Sequence, residues 1–248
     1  LLQAVIRLRQ LFLHGCHFQP VGIEADRQEQ GLHGHGVLIE RGFQALVHDA
    51  FVRGMHIHHH HALPALRQDV DAVQLAERAG LPTVMTLMAL GAVPAGHPLS
   101  LGMLGMHAAR HTNLLLAEFD VLLVAGARFD DRAVGKAERF CPQATIIHID
   151  IDESELDKIL PVHCGITGDV GLALAELLPL LRPRAEAGRE AWLTCVEECR
   201  RRHPFVMPGA DDPRTPYGLI RCAADAVDHD AIVATDVGQG QMRAAQVW

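Results

Sequence analysis

The run Val121-Leu122-Leu123-Val124-Ala125, closed by Gly126, constrains the fold more than any other stretch of this chain. Five successive apolar residues leave no alternation of wet and dry positions. A strand built from them must be covered on both faces, as in a parallel sheet enclosed by helices. Ligands of such sheets bind beyond the carboxyl ends of the strands. Arg128, Asp130, Asp131 and Arg132 follow directly, with guanidinium groups suited to phosphate and carboxylates suited to hydroxyls or cations. The same residues would also make an ordinary solvated loop, and residue type alone leaves both readings open.

The flanking sequence repeats the pattern. Val70, Val73, Leu75, Ala76 and Ala79 have helical spacing, Gly80 stops them, and 82–87 is a short β-rich run. A loop punctuated by proline and glycine leads into 101–107, where Gly102 and Gly105 permit either close approach of a ligand or a flexible turn. A helix is expected over 108–118 and a strand over 120–125. A third strand at 144–149 ends in Asp150, an acid placed to accept hydrogen bonds from ribose hydroxyls. The acids at 152–155 suit the start of a helix over 153–160. A strand at 163–167 and a helix over 170–181, preceded by Asp169, complete the alternation. The expected fold class is α/β, a doubly wound, Rossmann-like, six-stranded parallel sheet.

Beyond it, 182–189 reads as a linker, 190–202 as a helix, 203–213 as a proline-rich passage between domains and 217–227 as a helix. A strand over 231–235 leads into Asp236-Val-Gly-Gln-Gly-Gln-Met242, the start of a further α/β domain. Residues 1–68 stand apart. Ten of the 17 histidines precede residue 70, where there is no lysine; the only two lysines are Lys136 and Lys158. Adjacent histidines such as those at 58–61 cannot all face one ion, so this segment reads as a solvated loop or as sequence foreign to the domain, translated from another frame or strand.

Composition excludes several classes. A net charge of −8 with pI near 6.1, and no clustered basic face, argues against nucleic acid as a partner. No apolar run approaches the roughly 20 residues of a membrane span. The six cysteines contain no CxxC pair, and Cys195 and Cys199, one helical turn apart, read as packing rather than zinc ligands. Such cysteines suit a reducing, cytoplasmic setting. The chain opens on Leu1 rather than Met, which leaves room for a targeting segment upstream.

Four segments, LGMLGMH at 101–107, GARFDDRAVGK at 126–136, IIHIDIDESEL at 146–156 and TDVGQGQM at 235–242, occur in an order and spacing that resemble the large catalytic subunit of the acetolactate synthase (acetohydroxyacid synthase) family of thiamine-diphosphate enzymes. The resemblance spans about residues 70–248. It implies a central FAD-binding domain at 69–182, a connecting segment at 183–215 and the opening of the C-terminal thiamine-diphosphate-binding domain at 216–248, with 1–68 unassigned. It implies that Gly105, Met106 and His107 line a flavin, that Gly126, Arg128, Asp130 and Arg132 meet its ribityl and phosphate portion, and that Asp150 and Asp169 lie at its adenosine end. Met106, Asp131 and Arg132 would border the channel for anionic 2-ketoacids.

The implied activity of the full enzyme is a carboligation on the route to branched-chain amino acids: one 2-ketoacid, pyruvate, is decarboxylated and added to a second. It uses thiamine diphosphate and Mg2+, holds FAD in a structural role, works as a homo-oligomer and can pair with a small regulatory subunit. Departures from the family pattern are Ala108, Gly240 and Arg243, where the family has glycine, histidine and tryptophan. No catalytic residue and no metal ligand is expected in this chain, and no synthase activity from it alone. Two alternatives stay open: the central domain of another thiamine-diphosphate decarboxylase or carboligase, and a non-catalytic nucleotide-binding remnant.

Overall fold

The computed structural model describes residues 34–39, 72–181, 186–228 and 231–248. Its centre is one sheet of six strands, all parallel. They are β1 (Gly34–Ile39), β2 (Thr83–Met85), β3 (Ser100–Met103), β4 (Phe119–Ala125), β5 (Thr145–Asp150) and β6 (Cys164–Thr167). Their spatial order is β3-β2-β1-β4-β5-β6, the doubly wound arrangement expected from the alternating pattern.

The apolar run forms β4, and its period of two divides it between two dry layers. Val121, Leu123 and Ala125 join Ile147, Ile149 and Ile166 on one face, under helix α1 (residues 72–79, with Leu75) and α4 (Val170–Leu177, with Leu174 and Leu177). Leu122 and Val124 join Ile146 on the other, under α2 (Arg110–Leu116, with Leu115) and α5 (Glu186–Arg202, with Trp192 and Val196). Leu122, Leu123 and Val124 are fully buried, each contributing about 1.5–3 kcal/mol of apolar transfer. Trp192 anchors α5 edge-on against Phe119 at 5.9 Å between centroids.

Several elements depart from the sequence-based expectations. β1 lies upstream of residue 69, so the sheet draws a central strand from a segment that composition set apart: Val37–Ile39 pair with Thr83–Met85, and His35–Ile39 pair with Val121–Ala125. The histidines at 56–61 lie outside the described residues. β3 falls at the start of the segment 101–107, where a glycine-bearing turn or ligand approach is expected; Gly102 has φ +71°, and the pairing with β2 is irregular there. The helix expected over 153–160 shrinks to a single 3-10 turn, Glu153–Glu155. Its acids bond nearby main chain instead: Asp152 accepts from the Ser154 amide at 2.9 Å, and Asp157, at φ +58°, accepts from the Val162 amide at 2.6 Å.

The strand expected over 231–235 does not form: the segment is coil. Ile232 is 98% exposed, and no neighbouring strand among the described residues pairs with it, as a strand needs for stability. Two helices occupy this end, α6 (Pro216–Asp225) and α7 (Gln239–Val247), the second not foreseen. Short α3 (Asp131–Val134) lies in the loop after β4.

Candidate functional site

Because every strand is parallel, all the carboxyl ends open on one rim of the sheet. The winding reverses between β1 and β4, which places the switch-point crevice beside the turn that follows Ala125. Gly126 makes that turn at φ +65°, and its amide donates to the Ile149 carbonyl at 2.7 Å. Phe129 then folds inward to 3% exposure and wedges edge-on between Phe140 at 6.0 Å and His148 at 5.2 Å. That anchor turns Arg128, Asp130, Asp131 and Arg132 outward, all exposed.

Each acid has a definite local role. Asp130 caps α3, its Oδ1 accepting from the amides of Arg132 at 3.0 Å and Ala133 at 2.9 Å. Asp131 lies 3.9 Å from the Arg132 guanidinium, both highly exposed. Asp150 is only 6% exposed: Oδ1 accepts from the Asp152 amide at 2.9 Å, while Oδ2 lies 3.7 Å from the buried His148 ring. Asp169 caps α4, accepting from the Leu172 amide at 2.9 Å.

Gly105, Met106 and His107 form a 3-10 turn just past β3. Its carbonyls are held by two carboxamides, Asn113 donating to Gly105 at 3.1 Å and Gln246 of α7 donating to His107 at 2.8 Å. Gly105 sits at φ +87°, and a Cβ placed on it would stand 2.2 Å from the Arg132 carbonyl oxygen. Its missing side chain admits the main chain of α3. The loop after β4 therefore returns across the rim and packs against the turn after β3.

Between that turn, the end of α2 and α3 lies an open cleft of about 440 Å³. Of the residues singled out from sequence, Gly105, Met106 and Asp131 line it; Met106 is 62% exposed. Gly126, Arg128, Asp130, Arg132, Asp150 and Asp169 stand elsewhere on the rim, and His107 is not on the cleft wall. Lys136, Arg139 and Asn113 do line it and were missed as site residues. The signal was available for Lys136, one of two lysines in the chain and three residues before Arg139. Cys141 also borders the cleft, but burial pushes its thiol up to about 12, so it stays protonated and makes no nucleophile at neutral pH. No group of three or more His, Cys, Asp or Glu among the described residues is arranged to hold a metal ion, and no described helix is long and apolar enough to cross a membrane.

Comparison with known proteins agrees with this geometry. Residues 64–177 match the thiamine pyrophosphate enzyme central domain family. The chain is 55% identical over 177 residues to the acetolactate synthase isozyme 1 large subunit of Escherichia coli K12, covering 71% of this chain and 31% of that protein. It is 39% identical over 181 residues to chloroplastic acetolactate synthase 1 of Nicotiana tabacum, covering 72% of this chain and 27% of that one. A 37% identical match over 172 residues is the acetolactate synthase large subunit of Lactococcus lactis, covering 69% and 30%. The chain thus spans less than a third of the length of these relatives. An α/β sheet wound about a switch point, an arginine-bearing loop at its rim and these sequence matches place the chain in the family of acetolactate synthase large subunits, within the thiamine pyrophosphate enzymes.

Proposed function

We propose that this chain supplies the flavin-holding central domain of an acetolactate synthase. Residues 69–182 form that domain around a sheet that also takes in β1, 183–215 connect it, and 216–248 open the thiamine-diphosphate-binding domain. The observation that carries the reading is the placement of exposed Arg128 and Arg132 at the switch-point rim, on a loop packed against the Gly105–His107 turn. When bound, thiamine diphosphate with Mg2+ supplies the electron sink for decarboxylating one 2-ketoacid and joining the remainder to a second.

The residues present fit FAD by the chemistry of their donors. Arg128 and Arg132 suit a diphosphate. Gly126, at positive φ, lets main chain come close, and Asp130 and Asp169 hold their helices beside it. Asp150, with one oxygen on a main-chain amide and the other toward His148, fits an adenosine-end role through position in the crevice rather than through a free carboxylate. Met106 and Asp131 border the ketoacid path, where Lys136 and Arg139 give the cleft the positive charge an anionic substrate needs. Homo-oligomerisation, a regulatory subunit and a cytoplasmic setting belong to the same proposal.

Purified 248-residue protein mixed with FAD and desalted tests the reading directly. Retained flavin absorbance, reduced by Arg128→Ala, is the expected result. Protein that elutes folded and colourless overturns it.

A further inference from the structure

A second cavity, of about 290 Å³, opens between α2 and α5, on the helical layer away from the rim loops. Cys195 and Cys199 line it together with Trp192, Glu118 and His203. Residues four apart on a helix bring their Cβ atoms to about 5–6 Å on one face, so the two thiols address the same space. Both are half-buried and both are free. By contrast Cys141 and Cys164 are buried, and Cys222 stands exposed on α6. The Cys199 thiol is raised above its usual range by burial first, then by the neighbouring Cys195, and Glu118 adds to it while Arg202 opposes. Among the described residues the Cys199 thiol makes one weak hydrogen-bonding contact, 3.9 Å from Sγ to the His111 carbonyl.

We propose that Cys195 and Cys199 form a chelating dithiol site for thiophilic ligands that are satisfied by two sulfur donors, of the class of monosubstituted trivalent arsenicals. Soft thiol sulfur selects soft acceptors, and a ligand of this kind needs no third protein donor. That demand matches a wall with two thiols and no three-residue metal cluster among the described residues. The step balances without redox change: an arsenic(III) oxide takes two S–As bonds, its oxygen leaves as water, and the two thiol protons go with it. Thiols in their protonated form are therefore competent partners. The site is independent of the function proposed above: both thiols stand on α5, and no residue of α5 lines the rim cleft.

Phenylarsine oxide is the probe. With the reduced full chain and excess 2-mercaptoethanol, one equivalent should remain bound by intact mass and be removed by 2,3-dimercaptopropanol, because the second S–As bond closes with an effective-concentration advantage of about 10²–10⁴. Cys195→Ser and Cys199→Ser should each lose roughly 100-fold or more in retention, with helical circular dichroism unchanged, while Cys222→Ser retains the ligand fully. Retention by a folded Cys195→Ser/Cys199→Ser double variant, or no retention by the wild-type chain under monothiol competition, overturns the proposal. Should a serine variant lose its fold, Cys195→Ala and Cys199→Ala, which keep the apolar contact with the α2–α5 layer, make the same comparison.

Discussion

Gly105→Ala separates two uses of one glycine, packing and ligand approach. The new Cβ would lie 2.2 Å from the Arg132 carbonyl oxygen and 3.0 Å from that of Ala133, both main-chain atoms that cannot step aside as a side chain would. The residue is also held at φ +87°. An L-residue with left-handed backbone costs about 1–2 kcal/mol, and overpacking costs about 1–3 kcal/mol more, so roughly 2–5 kcal/mol is expected. Gly102 is the control, because it shares the positive φ, +71°, yet a Cβ there meets nothing within 4 Å. Gly102→Ala should therefore cost only the backbone share, about 1–2 kcal/mol. Urea unfolding of the two variants without any ligand measures the difference. If they fall within about 0.5 kcal/mol of each other, the packing of α3 on the Gly105–His107 turn is not what that glycine serves. A loss confined to flavin affinity, with unfolding unchanged, would instead favour close approach of a cofactor.

Three further outcomes follow from the same geometry. Asp130→Ala removes the cap of α3 and should cost about 1 kcal/mol in thermal unfolding, with Asp130→Asn close to wild type. Gln246→Leu removes the carboxamide that accepts from the Tyr217 hydroxyl at 2.8 Å and donates to the His107 carbonyl; about 1–2 kcal/mol of local stability should go, read as faster amide exchange over 239–247 and 105–108. The Asp212 carboxyl is held below the ordinary aspartate value by the Arg214 side chain first and its amide second. A lowered carboxyl stabilises the fold above the unfolded value of roughly 3.9 and loses that contribution as pH falls through the folded value. A carboxyl NMR titration should place its midpoint below 3.9, and Arg214→Ala, which keeps the main-chain amide bond, should raise it only part of the way back.

The parallel sheet was legible because β4 is apolar on both faces, and helix-spaced segments precede it and follow β6, a pattern that physics allows in few other settings. Legibility failed where a side chain or partner decides the local backbone. Asp152 looks like a helix opener and Asp157 falls inside the expected helix, but each bonds a main-chain amide instead, and Ile232-Val233 look like strand but pair with no strand among the described residues. At the site, the exposed charges of the 126–132 loop follow from its composition, while what orients them does not. Phe129, the one aromatic residue among these charges, is the wedge that turns Arg128 and Asp130 outward, and its partners Phe140 and His148 are 11 and 19 residues away in sequence. Gln246 reaches the His107 turn across 139 residues, a distance that local pattern cannot see.

The position of β1 gives the molecule an articulation point. β2 pairs with β1 and β3, and β4 pairs with β1 and β5, so among the described residues no ladder joins the β3-β2 ribbon to the β4-β5-β6 ribbon except through Gly34–Ile39. That strand lies ahead of the region matched to the thiamine enzymes, residues 64–177. In effect the region matched by the family model supplies two leaves of the sheet, and a strand ahead of it is the spine that binds them.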